Sequence, residues 1–235
     1  MTHVIFPLRF GYSILVIVGM IFWTSFFVIR KDLRPYLVKA GIVFGIVGLL
    51  TEYFWWTINW WHPVTLTGTR VGIEDFFTGF GAIGVMATSY QVFFNKKIVV
   101  FKHSTILWTF LKALFIISMF VFTTILLYGF HLTIFYAFSI SCILAILIMF
   151  ASRPDLIAPG LITGILTTVC VLPIYWATIL TVPHWVAQTY DFQHLSGVLF
   201  TGIPVEELVF WFLVGNFIGP LSAFMRSGEF VSIEK

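Results

Sequence analysis

Residues 201–209 read TGIPVEELV and residues 69–77 read TRVGIEDFF; setting one over the other puts Glu74-Asp75 opposite Glu206-Glu207. Upstream the match continues, with Leu66-x-Gly68 against Leu195-x-Gly197, and further back Phe54-Trp55 against Tyr175-Trp176. Each half therefore reads as an apolar span with aromatics near its outer end, a polar outer loop, an acidic pair and a further apolar span. A pattern that recurs in this order is the mark of a tandem duplication.

The surroundings of the two pairs decide the class of protein. With 60% hydrophobic and 10% charged residues, the 235-residue chain has too much apolar surface for a water-soluble core and reads as a polytopic membrane protein. Apolar runs of membrane-crossing length predict seven helices, over 10–29, 40–60, 73–94, 105–129, 132–151, 159–182 and 203–225. The first run ends at Arg30-Lys31 without a small-residue cleavage site and reads as a retained span.

Basic residues cluster after spans 1, 3, 5 and 7: Arg30, Lys31, Arg34 and Lys39, then Lys96, Lys97 and Lys102, then Arg153, then Arg226 and Lys235. Arg9 and Arg70 fall on the other side, so the N-terminus is expected outside and the C-terminus in the cytoplasm. The net charge of +3 follows from this topology and gives no reason to expect nucleic-acid binding. Two three-helix repeats joined directly would be inverted relative to each other, and span 4 restores their common orientation. The expected plan is all-α with seven transmembrane helices, 3+1+3: a first repeat over 1–100, a linker helix over 101–130 and a second repeat over 131–235.

Of ten acidic residues, Glu52, Glu74, Asp75, Glu206 and Glu207 lie within or at the mouth of apolar spans. A carboxylate at bilayer depth costs about 2.5–3.5 kcal/mol on insertion scales, which makes such residues functional candidates. Helix capping is the competing reading, because acids in the first turn after Pro204 are favoured by the helix dipole. Repetition favours function: the arrangement occurs twice, capping needs one acid per helix, and Glu52 reaches a similar depth. The aromatics Tyr53, Phe54, Trp55, Trp56, Trp60 and Trp61, and in the second half Tyr175, Trp176, Trp185 and Tyr190, read first as an interfacial belt. Any that face inward would present ring faces to a carbocation.

Several motifs fail on context. GFGAIG at 79–84 spells a dinucleotide fingerprint but lies inside a span with no preceding strand; it joins Gly41-x-x-x-Gly45, Gly160-x-x-x-Gly164 and Gly215-x-x-x-Gly219 as a means of close helix contact. There is no Asp-rich D-x-x-x-D for magnesium diphosphate, no H-E-x-x-H, and no span-7 lysine for a retinal Schiff base. An E-E-x-x-x-R protease motif fails at Trp211. His62, His131, His184 and His194 lack ligand spacing, so no metal site is expected. Cys142 and Cys170 read as packing residues.

An aromatic-rich span, a W-x-x-P loop (here Trp60 and Pro63) and a P-x-E-[ED] motif before Phe-rich sequence, once per half, resemble the integral-membrane lycopene cyclases of the heterodimeric and fused type. IPVEELVFWF keeps Pro204, Glu206 and Glu207; VGIEDFF keeps Glu74 and Asp75 but has Gly72 where the family usually has proline. The resemblance covers roughly 40–95 and 165–225 and implies acid-catalysed, non-redox cyclisation of the end groups of lycopene or a related polyene, without cofactor or metal. It implies Glu206 and Glu74 as proton donors, Asp75 and Glu207 as partners or base, and Glu52 as a further acid. Trp55, Trp56, Trp60, Tyr175, Trp176 and Trp211 are the implied substrate contacts. The implied setting is the cell membrane, with a polyene dissolved in lipid as substrate and association with other enzymes of carotenoid biosynthesis. A carotenoid- or lipid-binding protein, a transporter and a structural subunit on the same scaffold stand as alternatives.

Overall fold

The computed structural model describes residues 6–101 and 105–233. Lys102 and Lys235, both used in the orientation argument, lie outside them. Eight helices are used below to place the site. They are α1 Gly11–Ile29, α2 Arg34–Thr51, α3 Ile73–Phe93, α4 Ile106–Thr124, α5 Ile134–Ser152, α6 Ile157–Thr181, the short α7 Trp185–Thr189, and α8 Val205–Arg226.

Local chemistry explains most of their ends. Proline in the first turn opens α2, where the ring presets φ and the missing N–H is not needed. The Thr105 hydroxyl caps α4 by accepting from the Trp108 amide at 3.3 Å. Helix α2 starts at Arg34, six residues ahead of the expected 40, because a long basic side chain can keep its charge in water while its backbone is already helical. Past Thr51 the chain widens into a π-helical turn, Glu52–Trp56, and ends with Thr57–Asn59; α4 likewise runs into a π-helical turn at Ile125–Gly129.

Six stretches are long and apolar enough to cross a membrane: Leu8–Ile29, Lys31–Asn59, Ile106–Gly129, Ile134–Ser152, Pro154–Thr181 and Val205–Arg226. The chain is thus an all-α membrane protein. Helix α3 forms where the third span, 73–94, was expected and has 21 residues, but its glycines and polar groups keep it below the apolarity of the six. The remaining elements are short antiparallel strands, β1 Lys96–Val99 with β4 Glu229–Ser232, and β2 Leu199–Phe200 with β3 Ile203–Pro204.

The chain forms two compact units. One takes the chain as far as Val85 together with Val169–Val209. Within it α3 presses onto α2 through glycine: Gly41 and Gly45 face the rings of Phe80 and Phe76, and a Cβ on Gly48 would stand 2.9 Å from the Asp75 carbonyl. The other takes Met86–Thr168 with Phe210 onward. There Gly215 and Gly219 on α8 leave room for Thr167 and Thr163 on α6, and Gly160 admits Asn216. In the same unit Arg153 holds Asp155 at 2.6 Å and the Gly228 carbonyl at 2.9 Å. Cys142 and Cys170 are unbridged, and the buried Cys142 thiol points at the Leu213 carbonyl.

Because Gly79 lies against the Phe44 carbonyl, with Gly45 Cα only 3.3 Å from where its Cβ would be, Gly79→Leu forces α2 and α3 apart. Overpacking of this kind costs about 1–3 kcal/mol. The expected readout is a lowered thermal midpoint of the protein in detergent, with the exposed Leu180→Ile as an unaffected control.

Candidate active site

Both acidic pairs sit in the first turn of a helix, Glu74-Asp75 on α3 and Glu206-Glu207 on α8. All four side chains are buried, at 3–5% exposure. The loops leading into them turn at glycines with left-handed backbone, Gly68 at φ +68° and Gly197 at φ +76°, a conformation that only glycine adopts without strain. These turns aim a backbone N–H at the first acid of each pair. The Leu66 amide donates to Glu74 Oε1 at 2.8 Å, and the Ser196 amide donates to Glu206 Oε1 at 2.6 Å. The Ser13 hydroxyl adds a second donor to Glu74 Oε1 at 3.2 Å. The other oxygen of each, Glu74 Oε2 and Glu206 Oε2, is buried and has no hydrogen-bond partner among the described residues.

The second acid of each pair is held differently. Tyr12 on α1 donates its hydroxyl to Asp75 Oδ1 at 2.6 Å, and Tyr175 on α6 donates to Glu207 Oε2 at 2.8 Å. Asp75 Oδ2 also reaches back to the Gly72 amide at 2.7 Å, the acid half of a capping box. Capping is therefore part of the role of Asp75. The Tyr190 hydroxyl lies 2.7 Å from that of Tyr175. Burial, reinforced by the nearby Glu207 and Tyr175, pushes the Tyr190 hydroxyl well above the usual phenol range, so it keeps its proton and remains a donor.

Glu52 supplies a fifth buried carboxyl from the π-helical turn, a local widening that recurs at functional sites. It hydrogen-bonds the Trp61 side chain and is within electrostatic reach of both Asp75 and Glu207, while its Oε1 has no partner. One acid from each half thus faces Glu52. None of Glu52, Glu74, Asp75 and Glu206 forms an ion pair among the described residues, and no three His, Cys, Asp or Glu side chains there could hold a metal ion.

An aromatic chain joins the two pairs. Tyr12 and Trp61 meet edge to face at 5.0 Å, Trp61 and Tyr190 lie 6.1 Å apart, Tyr190 and Trp185 6.2 Å, and Trp185 and Tyr175 6.0 Å. Backbone bonds tie the two loops together in an antiparallel bridge at Trp61 and Tyr190: the His62 amide donates to the Thr189 carbonyl at 2.6 Å, and the Asp191 amide to the Trp60 carbonyl at 2.7 Å.

Among the aromatics expected to contact substrate, Trp55, Trp60 and Tyr175 are buried, and Tyr175 touches an acid directly. Trp56 is half-buried and donates to the Thr51 hydroxyl at 2.9 Å. Trp176 is 39% exposed and bonds Thr201 at 3.0 Å, and Trp211 belongs to the other unit with its ring 5.1 Å from Phe210. Tyr12 was not marked by any sequence pattern, and Trp61, Trp185 and Tyr190 read only as belt residues. The available signal was the polar pair Tyr12-Ser13 near the start of an otherwise apolar first run.

The departure at Gly72 has a steric cause. A Cβ there would come within 2.6 Å of Glu74 Oε2 and 2.8 Å of the Thr65 Cβ, so the site leaves no room for a side chain. Gly72→Ala is expected to cost about 1–3 kcal/mol in thermal unfolding. Gly72→Pro is expected to cost more, since it also removes the amide that holds Asp75.

A family model described as lycopene cyclase matches residues 4–93 and 133–225, well over half of the 235 residues. No curated protein and no solved structure matches the chain. All five buried carboxyls and the three tyrosines that serve them fall within the matched stretches, and the chain belongs to the lycopene cyclase family.

Proposed function

We propose that the protein is a carotenoid cyclase that converts linear end groups of lycopene or a related polyene into ionone-type rings, an isomerisation without gain or loss of electrons. The observation that carries this reading is the paired state of Glu74 and Glu206, each pinned through one oxygen while the other is buried and unpartnered. A carboxyl held this way keeps one oxygen free to face a substrate, which is the placement a general acid requires.

The reaction begins when the acid's proton adds to C2 of the terminal double bond and leaves a tertiary cation at C1. The C5=C6 bond attacks, C1–C6 forms, and the charge moves to C5. Loss of a proton from C6 restores the double bond, so one proton enters and one leaves. Asp75, Glu207 and Glu52 are the groups placed to receive it and to oppose the positive charge meanwhile. Ring faces of Tyr12, Trp61, Trp185 and Tyr190 add cation–π stabilisation, worth about 2 kcal/mol or more where water is excluded. Exclusion matters chemically, since water would capture the cation as an alcohol; the bonded outer loops serve that end. Each chain carries out these steps without a partner molecule that is consumed.

The same reading includes the finer topology. Seven spans with α3 as the third, an outside N-terminus and a cytoplasmic C-terminus put both acidic pairs at one face of the cell membrane. Repeats over 1–100 and 131–235 with a linker over 101–130 accord with family matches that leave out 94–132. A substrate dissolved in lipid enters laterally, supplied by the enzymes that make the acyclic polyene.

The test is expression in a bacterial host that accumulates lycopene, beside Glu206→Gln and Glu74→Gln, with pigments separated by chromatography. The unaltered chain is expected to yield monocyclic or bicyclic carotene, and each variant at least about 100-fold less, the usual range for loss of a general acid. Lycopene alone in all three strains, with membrane expression verified, would count against lycopene as the substrate.

A further inference from the structure

Residues 65–71 read TLTGTRV, and the three threonines hold this loop to itself. The Thr65 hydroxyl donates to the Thr69 carbonyl at 2.7 Å, that of Thr69 donates to the Val71 carbonyl at 2.8 Å, and the Thr67 and Thr69 hydroxyls pair. The loop and the glycine after it supply the amides of the first acidic pair, Leu66 to Glu74 and Gly72 to Asp75. None of these bonds reaches the π-helical turn that carries Glu52. The Arg70 side chain does. Its Nε donates to Thr57 Oγ1 at 2.6 Å, its Nη2 donates to the Tyr53 carbonyl at 2.7 Å, and its guanidinium lies 4.9 Å from the centre of the Tyr53 ring. The Thr57 hydroxyl passes the hold on by donating to the Glu52 carbonyl at 2.9 Å.

We infer that Arg70 is a positioning residue for the acids of the first half, a clasp that fixes loop 65–72 to the π-helical turn and so sets Glu52 against Glu74 and Asp75. A planar guanidinium can hold two acceptors and a ring face at once, which a lysine nitrogen cannot do with the same geometry. Arg70 forms no ion pair with Glu52 among the described residues, so its hold runs through the Thr57 hydroxyl and the backbone, and Glu52 keeps its unpartnered Oε1. The inference rests on the cyclase reading for its effect on rate, but its geometry does not. When the two acidic stretches are set over each other, Gly202 stands where Arg70 does. The second loop closes instead as the β2–β3 hairpin, held by the Trp176 ring N–H donating to the Thr201 hydroxyl at 3.0 Å. A change at Arg70 should therefore loosen the first loop and leave the second as it was.

Hydrogen exchange followed by mass spectrometry on the full-length protein in detergent tests the clasp without turnover. Arg70→Gln is expected to speed exchange of the amides of 65–72 about tenfold, the effect of one lost hydrogen bond to a charged group, with 195–203 unchanged. With lycopene in membranes, the same variant is expected to lower turnover about tenfold while KM stays within about twofold, since slight misplacement of reacting groups is costly. Arg70→Lys keeps the charge and loses the fork, and is expected to fall within about threefold of Arg70→Gln. Unchanged exchange at 65–72 overturns the inference even if the protein is an active cyclase. So does an Arg70→Gln protein as fast as the parent, or an Arg70→Lys protein that regains full turnover, which would make the charge and not the clasp the cause. Faster exchange at 65–72 in a protein whose parent makes no ring leaves the clasp standing and removes the cyclase reading alone.

Discussion

A carboxyl group surrounded by apolar side chains must find its hydrogen-bond donors inside the protein, and five such groups lie in one unit of this chain. Much of the unit is organised by that demand. Loop glycines turn backbone amides toward Glu74 and Glu206, and hydroxyls arrive from α1 and α6 for Asp75 and Glu207. Supplying neutral donors instead of Lys or Arg keeps Glu74 and Glu206 from being tied into ion pairs. An acid locked to an arginine is a poor source of protons; an acid held by an amide at one oxygen still has the other to use.

Close approach of backbones makes this supply geometry hold. The first turn of α3 reaches its place because Gly48 lets the Asp75 carbonyl come near and because Gly79 fits against Phe44. The aromatics then fill the space around the carboxyls with rings whose polar edges are used as well as their faces, as in the Trp61 bond to Glu52 and the Tyr175–Tyr190 hydroxyl pair. The two loops are tied together through two backbone hydrogen bonds between residues 60–62 and 189–191.

The two stretches that match in sequence around the acidic pairs differ in detail. Each has one acid with a spare oxygen and one held by a tyrosine, yet the settings differ: Asp75 takes the Tyr12 hydroxyl and the Gly72 amide, while Glu207 takes the hydroxyl of Tyr175, which is itself bonded to Tyr190. Glu52 has no acidic counterpart, since the repeat sets it opposite Pro173 inside α6.

What the chain's order of residues determined by itself was the membrane class, the family and the position of nearly every long helix. These follow from composition, run length and local repetition, all of which are properties of neighbouring residues. It misjudged the start of α2, where a snorkelling Arg34 is compatible with helix, and it gave no sign of the π-helical turn at Glu52. It also passed over Tyr12 and read Trp61, Trp185 and Tyr190 first as an interfacial belt, because a tyrosine in an apolar run looks the same whether its hydroxyl faces lipid headgroups or a carboxyl. Tyr12 lies 63 positions from Asp75 and Tyr175 32 from Glu207. Only the tertiary structure decides such pairings, because hydrogen bonds form between atoms brought within about 3 Å by packing, whatever their separation along the chain.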